Sequence, residues 1–190
     1  MNYSDASAQL SDYRRQIAET REKMRAVQKA VEPEPVADYT FTTTAGPVRL
    51  SELFGGKADL FVIHNMGTGC PYCTLWADGY NGVYDHLENR AGFALSSPDT
   101  PDVQKSFADS RGWRFPMVSH AGTSFASDMG YVSERGGCMP GVSVFKRRNG
   151  AIQRVSDTSF GPGDDFCSVW HFLDMLPDGA AGWSPRFRYV

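Results

Sequence analysis

Leu60-Phe61-Val62-Ile63-His64, followed after a short loop by Cys70-Pro71-Tyr72-Cys73, is the stretch on which the fold turns. A continuous apolar run of this length is too short for a free-standing helix and suits a strand buried on both faces. A helix follows from about Pro71 to Glu88, with proline at a first helical position, where a missing N–H costs nothing. Cys70 then falls at the helix N-cap, where unpaired N–H groups and the positive end of the helix dipole stabilise a thiolate. Cys73, one turn later, can approach the same side and close a disulfide. The spacing carries a mechanism in which Cys70 attacks a substrate disulfide and Cys73 resolves the mixed disulfide. A structural or chance cysteine pair is the alternative, and the strand before and helix after favour the redox reading.

Upstream, Leu10, Tyr13, Ile17, Thr20, Met24, Val27 and Val31 recur at alternating steps of three and four, so the N-terminal segment reads as an amphipathic helix. Glu32-Pro33-Glu34-Pro35 stops it, because proline removes a backbone donor and pushes the preceding residue out of helical geometry. The organisation expected is an amphipathic helix over 1–32, a main domain over 33–178 and a C-terminal tail over 179–190. The helix either covers its own domain, the favoured reading, or makes a coiled-coil-like homodimer contact, for which about three heptads is near the minimum.

Within the main domain, 39–44 and 48–50 read as short strands, with a brief helical turn from Ser51 to Phe54 closed by Gly55-Gly56. After the Cys-x-x-Cys helix come a strand at Phe93–Ser96, a helix at Asp102–Gly112 and an apolar stretch at Phe115–Ser119. Strands at Val142–Lys146 and Ile152–Ser156 flank Asn149-Gly150, a strong hairpin signal. A last helix is expected from about Pro162 to Met175. Strands alternating with helices and ending in a hairpin plus helix imply an α/β fold with a mixed central sheet covered by helices on both faces.

Composition sets the outer limits. The 190 residues, 41% hydrophobic and 13% aromatic, can build a substantial core. A net charge of -3 without a basic stripe points away from nucleic acid and anionic membranes. The N-terminus has no apolar signal region and no window approaches a membrane span, so a cytoplasmic location is expected. In a reducing cytosol four cysteines are poor structural staples, and a Cys-x-x-Cys there is redox-active or metal-binding.

Phe61 to Trp76, together with Met139-Pro140-Gly141-Val142-Ser143-Val144-Phe145-Lys146, resembles the thioredoxin superfamily. In that superfamily a proline with a cis peptide bond precedes a central strand and faces the Cys-x-x-Cys, and Pro140 is the matching position. The tetrad looks like that of glutaredoxins, but the preceding hairpin and the N-terminal helix do not. The order of elements is closer to the peroxiredoxin and thiol-reductase branch. Gly69 to Gly79, Gly112 to Ser119 and Ser143-Val144-Phe145 resemble the bacterial thioredoxin-like family catalogued as domain of unknown function 899, over most of residues 30–178. That family is assigned dithiol-disulfide chemistry mainly by fold, so the resemblance speaks to architecture more than to substrate. The peroxiredoxin pattern Pro-x-x-x-Thr-x-x-Cys is not met, since Thr68 stands only two residues before Cys70.

His64 matches the position where thioredoxins keep a buried acid that helps move the resolving cysteine's proton, and an ordinary histidine suits that task near neutrality. A strand-end histidine hydrogen-bonded to backbone is the equal alternative. Tyr72, Trp76 and Met139 are candidates to line a substrate groove, with a core role the simpler reading for Trp76. Cys138, close to Pro140, is a candidate third or sensor thiol, although such a residue more often fills space. Cys167 and His171 share a helical spacing that suits a metal, but two ligands alone make no site.

The leading expectation is a dithiol-disulfide oxidoreductase with Cys70 as nucleophile, Cys73 as resolving thiol, Pro140 shaping the groove and His64 shuttling a proton. It uses no organic cofactor and draws electrons from a cellular thiol reductant to reduce a disulfide-containing protein or a small thiol substrate. The alternatives are a non-catalytic redox sensor or partner-binding module and, less favoured, a thiolate metal-binding protein.

Overall fold

The Asn2 side chain starts the first helix by accepting the Asp5 N–H at 2.9 Å, the N-capping bond that satisfies an otherwise orphaned donor. In the computed structural model, which describes residues 1–189, this helix, α1, runs Tyr3–Ala30, and Val31, just ahead of Pro33, is already extended. None of the α1 residues is buried, and Leu10, Tyr13 and Ile17 are each 50% exposed. Residues 1–33 form one compact unit and the rest of the chain a second.

The second unit contains, in order, β1 (Glu34–Val36), β2 (Thr40–Thr43), β3 (Gly46–Arg49), β4 (Asp59–His64), α2 (Pro71–Arg90), β5 (Gly92–Ser97) and α3 (Pro101–Arg111). Then come β6 (Met117–Ser119), α4 (Phe125–Asp128), β7 (Gly141–Arg148), β8 (Ala151–Ser159) and α5 (Ser168–Leu173). All eight strands join one sheet in the order β1-β8-β7-β4-β5-β6-β2-β3. β4, β5 and β6 are parallel to their neighbours in that group, and every other pairing is antiparallel. The carboxyl ends of β4, β5 and β6 and the amino end of β7 therefore share one edge, with His64 opposite both Ser96 and Gly141.

Strand alternation divides the core in two. Phe61 and Ile63 face a cluster containing Cys73, Trp76, Ala77, Tyr80, Phe93 and Leu95, which α2 covers. Leu60 and Val62 face a second cluster, built from Phe41, Phe54, Val118, Phe125, Tyr131 and Phe145. On α2 the buried positions Cys73, Trp76, Ala77 and Tyr80 repeat at helical spacing, and each large apolar chain so buried contributes roughly 1.5–3 kcal/mol. The expected α/β fold, with its mixed sheet and extra N-terminal helix, is the observed one.

Asn149 and Gly150, at φ 51° and 80°, make the two-residue turn between β7 and β8, as its backbone requires. Gly141 is needed for a different reason: a Cβ there would lie 2.1 Å from Tyr131 Cε1 and 2.6 Å from the Thr158 carbonyl oxygen.

Two expectations are corrected. The last helix is confined to Ser168–Leu173, because the Asp164 carboxylate accepts the Gly161 and Phe166 N–H groups at 3.0 and 2.9 Å and folds the segment ahead of it into turns. Glu34 and Pro35, read as a stop, also form an edge strand on β8, where proline's missing donor is tolerated. The short helix α4 carries too few residues for a periodic signal.

Candidate active site

The loop from β4 into α2 is pinned at successive residues. Asn65 N donates to the Ser96 carbonyl at 2.9 Å, Gly67 N to Asn65 Oδ1 at 2.8 Å, and Thr68 N to Asp99 Oδ2 at 2.9 Å. Cys70 N reaches back to the Gly67 carbonyl at 3.2 Å. The loop delivers Cys70 to the N-cap of α2, in extended backbone with φ -104° and ψ 107°. Its Sγ accepts the Cys73 N–H at 3.1 Å, and Cys73 Sγ accepts the Met66 N–H at 3.4 Å. Cys70 is half-buried and Cys73 is only 3% exposed.

This geometry drives the two thiols apart in acidity. The hydrogen bond with the Cys73 thiol, reinforced by the Cys73 and Tyr72 N–H groups, lowers Cys70 from 9.0 to about 6 against the opposing effect of burial. Cys73 is raised, first by that same bond to Cys70 and then by burial. The arrangement sets a half-buried, more acidic thiol beside a buried, less acidic one.

His64 is not part of this arrangement. It continues the even-numbered face of β4, opposite Cys73, where its ring stacks on Tyr131 with centroids 3.7 Å apart and on Phe125 at 5.4 Å. Nε2 bonds to Ser143 Oγ at 2.9 Å while Nδ1 is buried without a partner. Burial, with smaller contributions from His120 and Arg154, lowers its pKa to about 3. The proton-shuttle expectation is corrected by the period-two alternation of the strand.

Pro140 lies at the same edge as the Cys70 loop, but every peptide bond among the described residues is trans. Met139 N donates to the Tyr131 carbonyl at 2.9 Å and the Pro140 carbonyl accepts the Phe160 N–H at 2.9 Å, which draws the chain directly into β7. Trp76 is 3% exposed, with Nε1 donating to Asp164 Oδ1 at 3.3 Å; it is a core residue because it lies one turn beyond Cys73 on the buried face of α2. Tyr72 is half-buried and stacks on Trp170 at 6.2 Å. Met139 packs against the cluster opposite α2.

Cys167 is buried among the α2-facing residues and His171 is exposed, its Nε2 3.6 Å from Asp165 Oδ1. With α5 starting only at Ser168, the two do not share a helix face as expected. Among the described residues no three His, Cys, Asp or Glu side chains gather as a metal site would require.

Asp99, Ser96 and His120 belong to no motif in the sequence. Ser96 is near the carboxyl end of β5, Asp99 follows it, and His120 directly follows β6, so the signal was the position of polar residues at the ends of parallel strands, where α/β sheets place their sites. Asp99 holds the Cys70 loop through Thr68. His120 lies between Ser96 Oγ, 2.8 Å from Nδ1, and Cys138 Sγ, 3.8 Å from Nε2.

Among solved structures the chain is similar to the peroxidoxin BcpB from Mycobacterium tuberculosis, at 22% identity and TM-score 0.58, covering 67% of this chain and 84% of that one. Reduced Prx3 from Vibrio vulnificus matches at 17% identity and TM-score 0.56, over 70% of this chain and 89% of that one. A PrxQ variant from Xylella fastidiosa matches at 14% identity and TM-score 0.58, with coverage of 67% and 84%. These likenesses establish a peroxiredoxin-like thioredoxin fold. A search of curated proteins finds no match. Among the described residues no helix is long and apolar enough to cross a membrane. A family profile described as a bacterial protein of unknown function spans residues 5–185, and with nearly its whole length so matched the chain belongs to that family, DUF899.

Proposed function

We propose that this protein is a thiol-disulfide oxidoreductase that acts through Cys70 and Cys73. The observation that carries the reading is the placement of the pair: Cys70 is half-buried at the N-cap of α2, its Sγ accepts the Cys73 N–H at 3.1 Å, and Cys73 is buried one turn later. The Cys70 thiolate attacks one sulfur of a substrate disulfide, and the other sulfur departs with the electron pair and takes up a proton. Cys73 then loses its proton and attacks Cys70 Sγ, which breaks the mixed disulfide and releases the second substrate thiol. The substrate disulfide is reduced to two thiols as the protein dithiol is oxidised to a disulfide, and a cellular thiol reductant restores it. The setting is the cytoplasm, where that reductant is supplied.

The test is trapping. A Cys73→Ser variant mixed with a protein disulfide such as insulin should accumulate a mixed disulfide through Cys70, while the parent protein should release substrate thiols and form the internal disulfide. If Cys70 acquires no adduct in the variant and both thiols persist in the parent, the proposal is wrong.

A further inference from the structure

A second thiol stands at the same edge of the sheet, outside the Cys-x-x-Cys. Cys138 ends a short loop whose backbone closes on itself: Val132 bridges Cys138, and Ser133 N donates to the Gly137 carbonyl at 2.8 Å. Its Sγ lies 3.8 Å from His120 Nε2, within reach of a sulfur hydrogen bond. The opposite ring nitrogen, Nδ1, is 2.8 Å from Ser96 Oγ, and Ser96 is fully buried. In the tautomer in which Nδ1–H donates to Ser96, Nε2 turns its lone pair to the Cys138 thiol. Nucleophile, base and a third group that orients the base are thus present in one chain of contacts, the arrangement that activates cysteine and serine nucleophiles.

We propose that Cys138, with His120 as its base and Ser96 orienting the ring, is a second thiol site that takes up small aliphatic disulfides as a mixed disulfide. As Cys138 Sγ attacks one sulfur of the reagent, His120 Nε2 takes the thiol proton. A bond forms between Sγ and the attacked sulfur, the reagent's S–S bond breaks, and the second sulfur leaves with the electron pair and receives the proton from His120. One disulfide is exchanged for another, so no further oxidant enters.

Burial, opposed by Asp99, lowers His120, so the ring is neutral but a weaker base than an ordinary imidazole, and it takes the thiol proton as the new S–S bond forms rather than beforehand. Burial, and secondarily Asp99, raises Cys138, so its thiolate is a strong nucleophile once formed and a poor leaving group afterwards. Unlike Cys70, Cys138 has no second cysteine one helical turn away to expel the adduct. The thiol is half-buried beside the exposed residues Glu134–Gly137, and a half-buried sulfur is reached more readily by a small reagent than by the disulfide of a folded partner.

The experiment treats the reduced full-length protein with bis(2-hydroxyethyl) disulfide and follows each cysteine peptide by mass spectrometry. The expected result is a lasting half-reagent adduct on Cys138. His120→Gln should slow that adduct about a hundredfold, the lower end of what a lost general base costs, while the loss of free Cys70 in the same sample proceeds at the parent rate and reports an intact fold. Should His120→Gln disturb Cys70 as well, Ser96→Ala decides: slower Cys138 modification supports the proposal and an unchanged rate overturns it. The proposal is also overturned if Cys138 stays unmodified, if it reacts no faster than buried Cys167, or if a folded His120→Gln matches the parent. Failure of the dithiol reading is seen separately, on the Cys70 and Cys73 peptides.

Discussion

Replacing His64 by glutamine should remove a large part of the protein's sensitivity to acid. In the folded chain the imidazole is 2% exposed, stacked on Tyr131 and Phe125, and its proton affinity falls from the ordinary 6.5 to about 3. In the unfolded chain it takes a proton as pH drops through about 6.5, whereas in the folded chain it remains neutral down to about pH 3. Within that window the unfolded state holds more protons, so stability is fully present above 6.5 and falls as pH falls. At roughly 1.4 kcal/mol per pH unit, a chain brought to about pH 4.5 loses about 3 kcal/mol through this one residue. Glutamine retains an amide positioned to meet Ser143 Oγ but has no titration in this range. Urea unfolding of parent and variant at about pH 7.5 and about pH 4.5 measures the effect as a difference of differences, in which the carboxylates common to both proteins cancel. The variant should lose about 3 kcal/mol less than the parent over that interval. Equal losses in the two proteins would refute a buried neutral His64.

Two further outcomes follow from the geometry. Cys73→Ala removes the largest influence holding Cys70 at about 6, so the Cys70 pKa should rise towards 9.0; iodoacetamide alkylation at about pH 7, where the parent is mostly thiolate, should slow about tenfold, and an unchanged pH midpoint would contradict the shared hydrogen bond. Gly141→Ala places a methyl group inside the Tyr131 ring that stacks on His64; overpacking of this kind costs about 1–3 kcal/mol, seen as a lower denaturant midpoint, and an unaltered midpoint would mean that Tyr131 can retreat freely.

The regular elements were legible because local rules govern them. Leu60–His64 was too apolar and too short for anything but a buried strand, Pro71 marked the first turn of α2, and Asn149-Gly150 admits few structures other than a tight hairpin. The last helix is shorter than its pattern suggests because the apolar spacing of Phe166, Val169, Trp170 and Leu173 extends beyond the residues that are helical, and nothing in that spacing announces that Asp164 will turn on its own backbone. Pro140 leads into β7 between two contacts that no local pattern announces, the Met139 N–H on the Tyr131 carbonyl and the Phe160 N–H on its own carbonyl.

At the candidate site the division is sharper. The sequence by itself determined that two cysteines one helical turn apart stand between a buried strand and a helix, since hydrophobic continuity, proline placement and N-cap chemistry are properties of neighbouring residues. Only the tertiary structure decided which side chains join them. His64 is close to Cys70 in the chain, yet it projects to the opposite face of the sheet, whereas Asp99, from beyond the end of β5, reaches the Cys70 loop through the Thr68 N–H. That assignment depends on the parity of each strand and the order in which strands pair, and both are settled by packing between segments far apart in the chain.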